Sequence, residues 1–233
     1  MELDGARILV AGATGALGGA LARALDEAGA ELALAGRDAA RLDAIGDELG
    51  VPTARFDVTD PEGRRTAVGS LAAALGGELD GVVVAVGAPG FGSAGGAAAE
   101  DVRRIFEVNA LGPIGLVEAS LAHLDRRGAV VGVSAIVADH PTAGVSHYSA
   151  AKAAFSAYLA ALRRERRRDG LAVLDVRPPH MDTSFGDRPI FGRAPELPEP
   201  LSVQVVVDAV MEAVRLDRRE IAWDLDARSL VTA

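Results

Sequence analysis

The sequence predicts an α/β fold: a single-domain, doubly wound parallel sheet of about seven strands with helices on both faces, spanning residues 1–233. Three observations predict it. Short apolar runs alternate with Ala-rich stretches from one end of the chain to the other, and strict strand–helix alternation means parallel strands joined by right-handed crossovers. The strand-like runs are nearly continuous in apolar residues, as expected of strands buried on both faces. The 233-residue length fits one domain better than two, and 49% hydrophobic with 24% charged residues is ordinary globular composition.

Each element has its own signal. Arg7–Ala11 reads as a strand and Leu17–Ala28 as a helix. Glu31–Ala35 is a strand and Ala39–Leu49 a helix, then Thr53–Asp57 a strand. Pro61 opens a helix to about Leu75, with Asp60 as its N-cap. Gly81–Val86 is a buried strand, followed by a long helix from about Ala98 to Leu124. Ala129–Ser134 is the fifth strand, and Tyr148–Arg168 a helix closed by Gly170. Leu171–Val176 is the sixth strand, Ser202–Arg215 the last helix and Glu220–Asp224 the last strand. The 24 residues from Arg177 to Pro200 hold six of the eleven prolines. A loop of that length is usually a lid or a binding segment, so 177–200 is expected to be the substrate loop.

Composition excludes several classes of function. A net charge of −9 argues against non-specific nucleic-acid binding, and the run from Arg163 to Arg168 reads as a solvated face at a helix C-terminus. Without Cys there are no disulfides and no cysteine-based zinc sites, and His123, His140, His147 and His180 lack metal-ligand spacing, so no metal site is expected. Met1-Glu2-Leu3-Asp4 is acidic and lacks the apolar region of a secretory signal, and no apolar run is long enough to span a membrane. The expectation is a cytoplasmic protein with no nucleic-acid or membrane partner.

The first strand runs into Ala11-Gly12-Ala13-Thr14-Gly15-Ala16-Leu17-Gly18. Between a strand and a helix, Gly12, Gly15 and Gly18 permit a tight turn and let backbone N–H groups approach a pyrophosphate at the helix N-terminus. The plainer alternative is that small residues let helix and strand pack closely. Placement at the first strand–helix turn favours a Rossmann-type dinucleotide site. An NAD site wants an acid about 20 residues after the turn to bond the ribose 2′-hydroxyl. Here Gly36 stands in that place and Arg37 follows, and a guanidinium suits a 2′-phosphate. NADP(H) is therefore favoured over NAD(H), although Asp38 would still serve a hydroxyl. Gly12, Gly36, Asp57, Gly87 and Ser134 all fall at carboxyl ends of strands, the edge where ligands bind in such sheets. Asp57 is either an acceptor for the adenine amino group or a turn acid before Thr59-Asp60-Pro61.

Tyr148 and Lys152 stand at i and i+4, on one face of a helix. A nearby ammonium stabilises phenolate and lowers a tyrosine pKa towards the range of a general acid. A surface pair adding a few tenths of a kcal/mol to the helix is the bland alternative. Against it, 23 of the 24 basic residues are Arg, and Lys152 is the one Lys. A point ammonium on a flexible stem is not replaceable by Arg.

Taken together, the glycine turn, Asp57-Val58, Asn109, Ser134 and Tyr148-x-x-x-Lys152 resemble the short-chain dehydrogenase/reductase family over nearly the whole length. The resemblance implies Tyr148 as general acid/base, with Lys152 lowering its pKa and binding the nicotinamide ribose. It implies Ser134 as the hydrogen-bond donor to the substrate carbonyl, with Ser146 as the fallback, and Asn109 as the holder of a water in the proton relay. A helix kink before Gly112-Pro113 is the local alternative for Asn109. The cofactor set is Gly12, Thr14, Gly15, Ala16, Leu17, Gly18, Arg37, Asp57, Val58, Gly87, Asn109, Tyr148, Lys152, Pro178 and Thr183, where Thr183 is equally well a capping threonine. The implied activity is hydride transfer between NADP(H) and a carbonyl or hydroxyl carbon of a small, partly apolar substrate, in a homodimer or homotetramer. The apolar character comes from Phe91, Met181, Phe185 and Phe191 in loops beside the site. A non-catalytic NAD(P)-binding sensor, or an epimerase or dehydratase that recycles its cofactor, are the alternatives on the same scaffold.

Four features depart from the family pattern. The turn lacks the usual Thr-Gly-x-x-x-Gly-x-Gly spacing. Val84-Ala85-Val86-Gly87 replaces Asn-Asn-Ala-Gly. Ser134 precedes Tyr148 by 14 residues where the family usually has 13, and Ala135 takes the usual position. Pro179 also replaces the glycine that normally follows Pro178.

Overall fold

In a computed structural model that describes all 233 residues, the chain alternates β1 (Arg7–Ala11), α1 (Ala16–Glu27), β2 (Glu31–Gly36), α2 (Ala39–Leu49), β3 (Thr53–Arg55), α3 (Pro61–Ala74) and β4 (Leu79–Val84). Helices α4 (Ala99–Phe106) and α5 (Gly112–Leu121) lead to β5 (Leu124–Val133), α6 (Ser146–Glu165), β6 (Ala172–Arg177), α7 (Val203–Arg215), β7 (Glu220–Asp224) and β8 (Ser229–Thr232). One sheet takes the order β3-β2-β1-β4-β5-β6-β7-β8, parallel except for the β7–β8 pair.

Alternation along the strands sorts the core onto two faces. Ile8 and Val10 face the side covered by α1, α2 and α7, where Leu21, Leu42 and Val210 pack. Leu9 and Ala11 face the side covered by α3, α5 and α6, with Leu71, Leu116 and Leu159. Local signals start the helices. Asp60 accepts from the Glu62 N–H ahead of Pro61, Asp38 caps α2, and Ser202 caps α7.

Three expectations are corrected. There are eight strands, because Ser229–Thr232 folds back antiparallel on β7. The expected helix 98–124 is broken: Glu107–Leu111 forms a π turn, with Gly112 N–H bonding the Glu107 carbonyl. Pro113 has no N–H to give to the Asn109 carbonyl, and a wider turn passes that gap. Helix α6 stops at Glu165, and Gly170 (φ +88°) turns the chain only after Asp169. No helix is long and apolar enough to cross a membrane.

Chain order reverses between β1 and β4, so the crevice of the sheet opens at their carboxyl ends. There Ala11 lies opposite Ala35 of β2 and opposite Val84 of β4.

Candidate active site

The glycine turn leaves β1 at this crevice. Gly12 adopts φ +92°, open to glycine, and a Cβ there would overlap the Ala85 carbonyl. A Cβ at Gly18 would overlap the Gly12 carbonyl, so the turn closes tightly on α1. Gly15 caps α1 without a side-chain bond, and the first turn carries no acid. The N–H groups of Ala16, Leu17 and Gly18 are thus the uncompensated positive end of a helix. These residues fit a pyrophosphate. The Leu17 side chain is buried in the core and contributes only backbone here.

Thr14 decides what stands at the end of β2. A Cβ on Gly36 would lie 2.6 Å from Thr14 Cγ2 and 3.1 Å from its Oγ1, so no acid fits at position 36. Arg37 is exposed, and Arg55 of β3 donates to its carbonyl at 3.1 Å. Asp38 is committed elsewhere: it accepts from the Arg41 N–H at 3.1 Å and pairs with the Arg41 guanidinium at 3.7 Å. Asp57 Oδ1 accepts from the Thr59 N–H (2.9 Å) and hydroxyl (2.8 Å), a turn arrangement, while Oδ2 lies 3.6 Å from Arg104. Burial opposes ionisation of Asp57, but the Thr59 bonds, Arg104 and Arg37 hold its carboxyl below the usual value. Val58 is buried, and its carbonyl accepts from Arg64.

Beyond β4, three residues converge. A Cβ on Gly87 would lie 3.0 Å from both Asn109 Oδ1 and Lys152 Nζ. Asn109 sits in the π turn, fully buried, and its amide is satisfied on each side. Nδ2 donates to the carbonyls of Ala88 (2.9 Å) and Ile105 (3.0 Å), and Oδ1 accepts from the Ala88 N–H (3.0 Å). Lys152 is 2% exposed and donates to the carbonyls of Val133 (3.0 Å) and Val86 (3.5 Å). Burial pushes its ammonium down to about 8, against the pull of Asp175.

Tyr148, one helical turn earlier, packs its ring against Phe185 at 6.3 Å. Burial pushes its phenol up, the reverse of the expected lowering. The reason is visible in the bonds of Lys152, whose donors face the carbonyls of Val133 and Val86. A phenol that keeps its proton is in the donor form of a general acid.

Ser134 does not face this site. Its hydroxyl is buried and donates to Asp175 Oδ1 at 2.5 Å, and its N–H bonds the Val176 carbonyl of β6. Side chains alternate along an extended segment, so a one-residue offset sends a hydroxyl to the opposite side. The 14-residue interval to Tyr148 is such an offset, and buried Ala135 occupies the other position. The expected contact between Ser134 and a substrate carbonyl is corrected accordingly. Ser146 lies exposed in the first turn of α6.

The segment after β6 is pinned across the site. Pro178 is buried and its carbonyl accepts from Ile136. Thr183 caps a short turn, its hydroxyl accepting from Phe185 N–H at 3.3 Å. Ile190 N–H bonds the Pro89 carbonyl (2.8 Å) and Phe91 N–H the Phe191 carbonyl (3.1 Å). The Phe191 ring sits on Gly90 and meets His147 edge-on at 6.1 Å. Phe91, expected in the apolar wall of the site, is buried under this clasp.

Sequence reasoning missed Asp175, Ser156 and the role of Arg177. The available signal was an acid inside an apolar strand, which needs partners to be buried.

Residues 6–188 match the family model described as short chain dehydrogenase. The chain belongs to that family. As a short-chain dehydrogenase it is an NAD(P)-dependent oxidoreductase. It is 33% identical over 184 residues to an uncharacterised oxidoreductase of Myxococcus xanthus, covering 76% of this chain and 72% of that one. It is 30% identical over 144 residues to an NADPH-dependent 1-acyldihydroxyacetone phosphate reductase of Schizosaccharomyces pombe, covering 61% of this chain and 49% of that protein. A short chain dehydrogenase from Burkholderia cenocepacia, solved in complex with NADP, superposes with a TM-score of 0.80 at 28% identity over 92% of both chains.

Proposed function

We propose that this short-chain dehydrogenase is an NADP(H)-dependent carbonyl reductase or alcohol dehydrogenase acting on a small, partly apolar substrate. The observation that carries the reading is the convergence of Gly87, Asn109 and Lys152 beside Tyr148, at the carboxyl ends of β4 and β5. The nicotinamide, when bound, supplies or accepts the hydride. Tyr148 would hold the proton for the substrate oxygen, Lys152 would hold positive charge and the ribose hydroxyls, and Asn109 fixes the backbone at Ala88, beside Gly87. Phe185, Phe191 and Met181 form the apolar wall of the substrate loop, 177–200. The choice of NADP(H) is supported by the filled space at Gly36, the commitment of Asp38 to its cap and the exposure of Arg37. The NADP complex of the Burkholderia cenocepacia dehydrogenase and the NADPH dependence of the Schizosaccharomyces pombe reductase agree with it.

Thermal unfolding with NADPH, with NADH and with neither tests this without knowing the substrate. A ligand at 100 times its Kd stabilises by about 2.7 kcal/mol, and about 2–4 °C per kcal/mol is expected for this size. A rise with NADPH and a much smaller one with NADH is expected. No rise with either at millimolar concentration would sink the reading. Tyr148→Phe is expected to keep the NADPH rise and to lose turnover of any carbonyl found by screening.

A further inference from the structure

The most heavily built polar cluster of the protein lies outside the residues assigned above. Asp175, in the middle of β6, is 2% exposed. Its Oδ1 accepts from Ser134 (2.5 Å), and its Oδ2 accepts from Ser156 (2.5 Å) and from Arg177 (2.9 Å). Arg177 is shared with Asp139 (2.6 Å) and Glu220 (2.7 Å). A carboxylate taken out of water is destabilising by several kcal/mol unless bonded, so this arrangement marks a position where the charge itself is kept.

What it is kept beside is Lys152. Tyr148, Lys152 and Ser156 are spaced i, i+4, i+8 and share one face of α6. Ser156 grips Asp175 one turn beyond Lys152. On the facing strand the same pairing recurs: Val133 gives its carbonyl to Lys152, and Ser134, the next residue, gives its hydroxyl to Asp175. We propose that Asp175 is a positioning residue for Lys152. Clamped between Ser134 and Ser156, it is the counter-charge that keeps this buried ammonium protonated at working pH. The proposal rests on the reading of Lys152 as the partner of Tyr148, and it gives Ser134 a second role in place of carbonyl binding.

The charged group that acts on Lys152 is Asp175 of β6. Asp175 is bonded by Arg177, which also meets Asp139 from the turn after β5 and Glu220 of β7, and α6 itself brings Tyr148. The π turn and the segment after β4 present Asn109 and backbone. Arg177 is shared among Asp175, Asp139 and Glu220, three acids to one guanidinium, and of these Asp175 is the acid that acts on the ammonium.

Lys152 is the only lysine, so protein grown with lysine labelled by 13C at Cε gives one lysine resonance, and its shift against pH titrates this group directly. Asp175→Asn, which keeps the shape and an acceptor for one serine while the other hydroxyl accepts from the new amide, is expected to lower the midpoint by about one pH unit or more. Asp175→Asn with Arg177→Gln removes the buried pair together, so that no charge is left facing the altered side chain, and is expected to lower it as well. Glu220→Gln is expected to leave it near the wild-type value. An unchanged midpoint in the Asn variants, or an equal fall in Glu220→Gln, overturns the proposal. The titration needs neither cofactor nor substrate, so it is read even where the NADPH test fails.

Discussion

At the residue scale, cofactor preference comes down to one contact between side chains that the chain brings together from two turns. Thr14 fills the space that an acid at position 36 would need. Gly36→Asp alone is therefore expected to lower stability without creating NADH binding, because its Cβ meets Thr14 Cγ2 at 2.6 Å. Adding Thr14→Gly is expected to restore stability and to give an NADH-induced rise in Tm. Equal NADH binding by the single and the double variant would show that Thr14 is not the obstacle. Arg37→Ala tests the other half. A hydrogen bond to a charged group contributes about 1.5–3 kcal/mol, so NADPH affinity is expected to fall roughly tenfold to a hundredfold. Calorimetric titration should show NADH affinity unaltered, and a parallel loss of both cofactors would move the 2′-phosphate contact away from Arg37.

At the element scale, what was legible in the sequence followed from periodicity. Strands buried on both faces write continuous apolar runs, and β1, α2 and β7 fall where the runs place them, at Arg7–Ala11, Ala39–Leu49 and Glu220–Asp224. β8 escaped because an exposed four-residue edge strand, Ser229–Thr232, has no buried face to pattern it. The break at Glu107–Leu111 was legible in part, because Pro113 signals a kink at Asn109; that the Asn109 side chain is held by the Ala88 backbone was not, because that partner is remote in sequence. Tyr148 and Lys152 were legible because a helix fixes i, i+4 neighbours. The orientation of Ser134 was not, because it depends on where β5 ends. The π turn gives a prediction of its own. Asn109→Ala strands the Ala88 N–H and the Ala88 and Ile105 carbonyls in a buried place. The loss is expected to be about 2–3 kcal/mol, and at about 2–4 °C per kcal/mol a fall in Tm of roughly 5–10 °C. Asn109→Asp, which keeps the acceptor for Ala88 N–H but loses both donors, is expected to fall almost as far. A Tm within a degree or two of wild type would mean that water replaces the amide and that the turn is held by Pro113 alone.

At the scale of the whole molecule, a chain of net charge −9 has its acids tied to arginines at both ends of the sheet. At the carboxyl edge, Asp57 faces Arg104 and Arg37. At the opposite edge, Asp80 of β4 takes both the backbone N–H and the guanidinium of Arg7, each at 2.9 Å, and so sews β4 to β1. The Arg7 bond holds the Asp80 carboxyl below its usual value, outweighing burial. An acid with a depressed folded-state pKa contributes stability that is present above the unfolded value, about 3.9, and is lost as pH falls through the folded value. Tm is therefore expected to be level from pH 7 to 5 and to fall below about pH 4. Lys152 acts at the other limb. Its ammonium is pushed down to about 8 by burial, so folding is opposed by its protonation at neutral pH and relieved as pH rises from 8 towards the ordinary lysine value of 10.5. Asp80→Asn separates the two limbs. It should lower Tm at pH 7, where the ion pair is intact, and the difference should shrink as pH falls through the folded-state value of Asp80 and the wild-type side chain becomes neutral as well. The alkaline limb should be unchanged, because Asp80 and Lys152 lie at opposite edges of the sheet. A loss of Tm that stays equal from pH 7 down through the acid limb would assign the role of Asp80 to its shape and hydrogen bonds, and the acid limb would then come from Asp57 and Glu48, the other carboxyls held below their usual values.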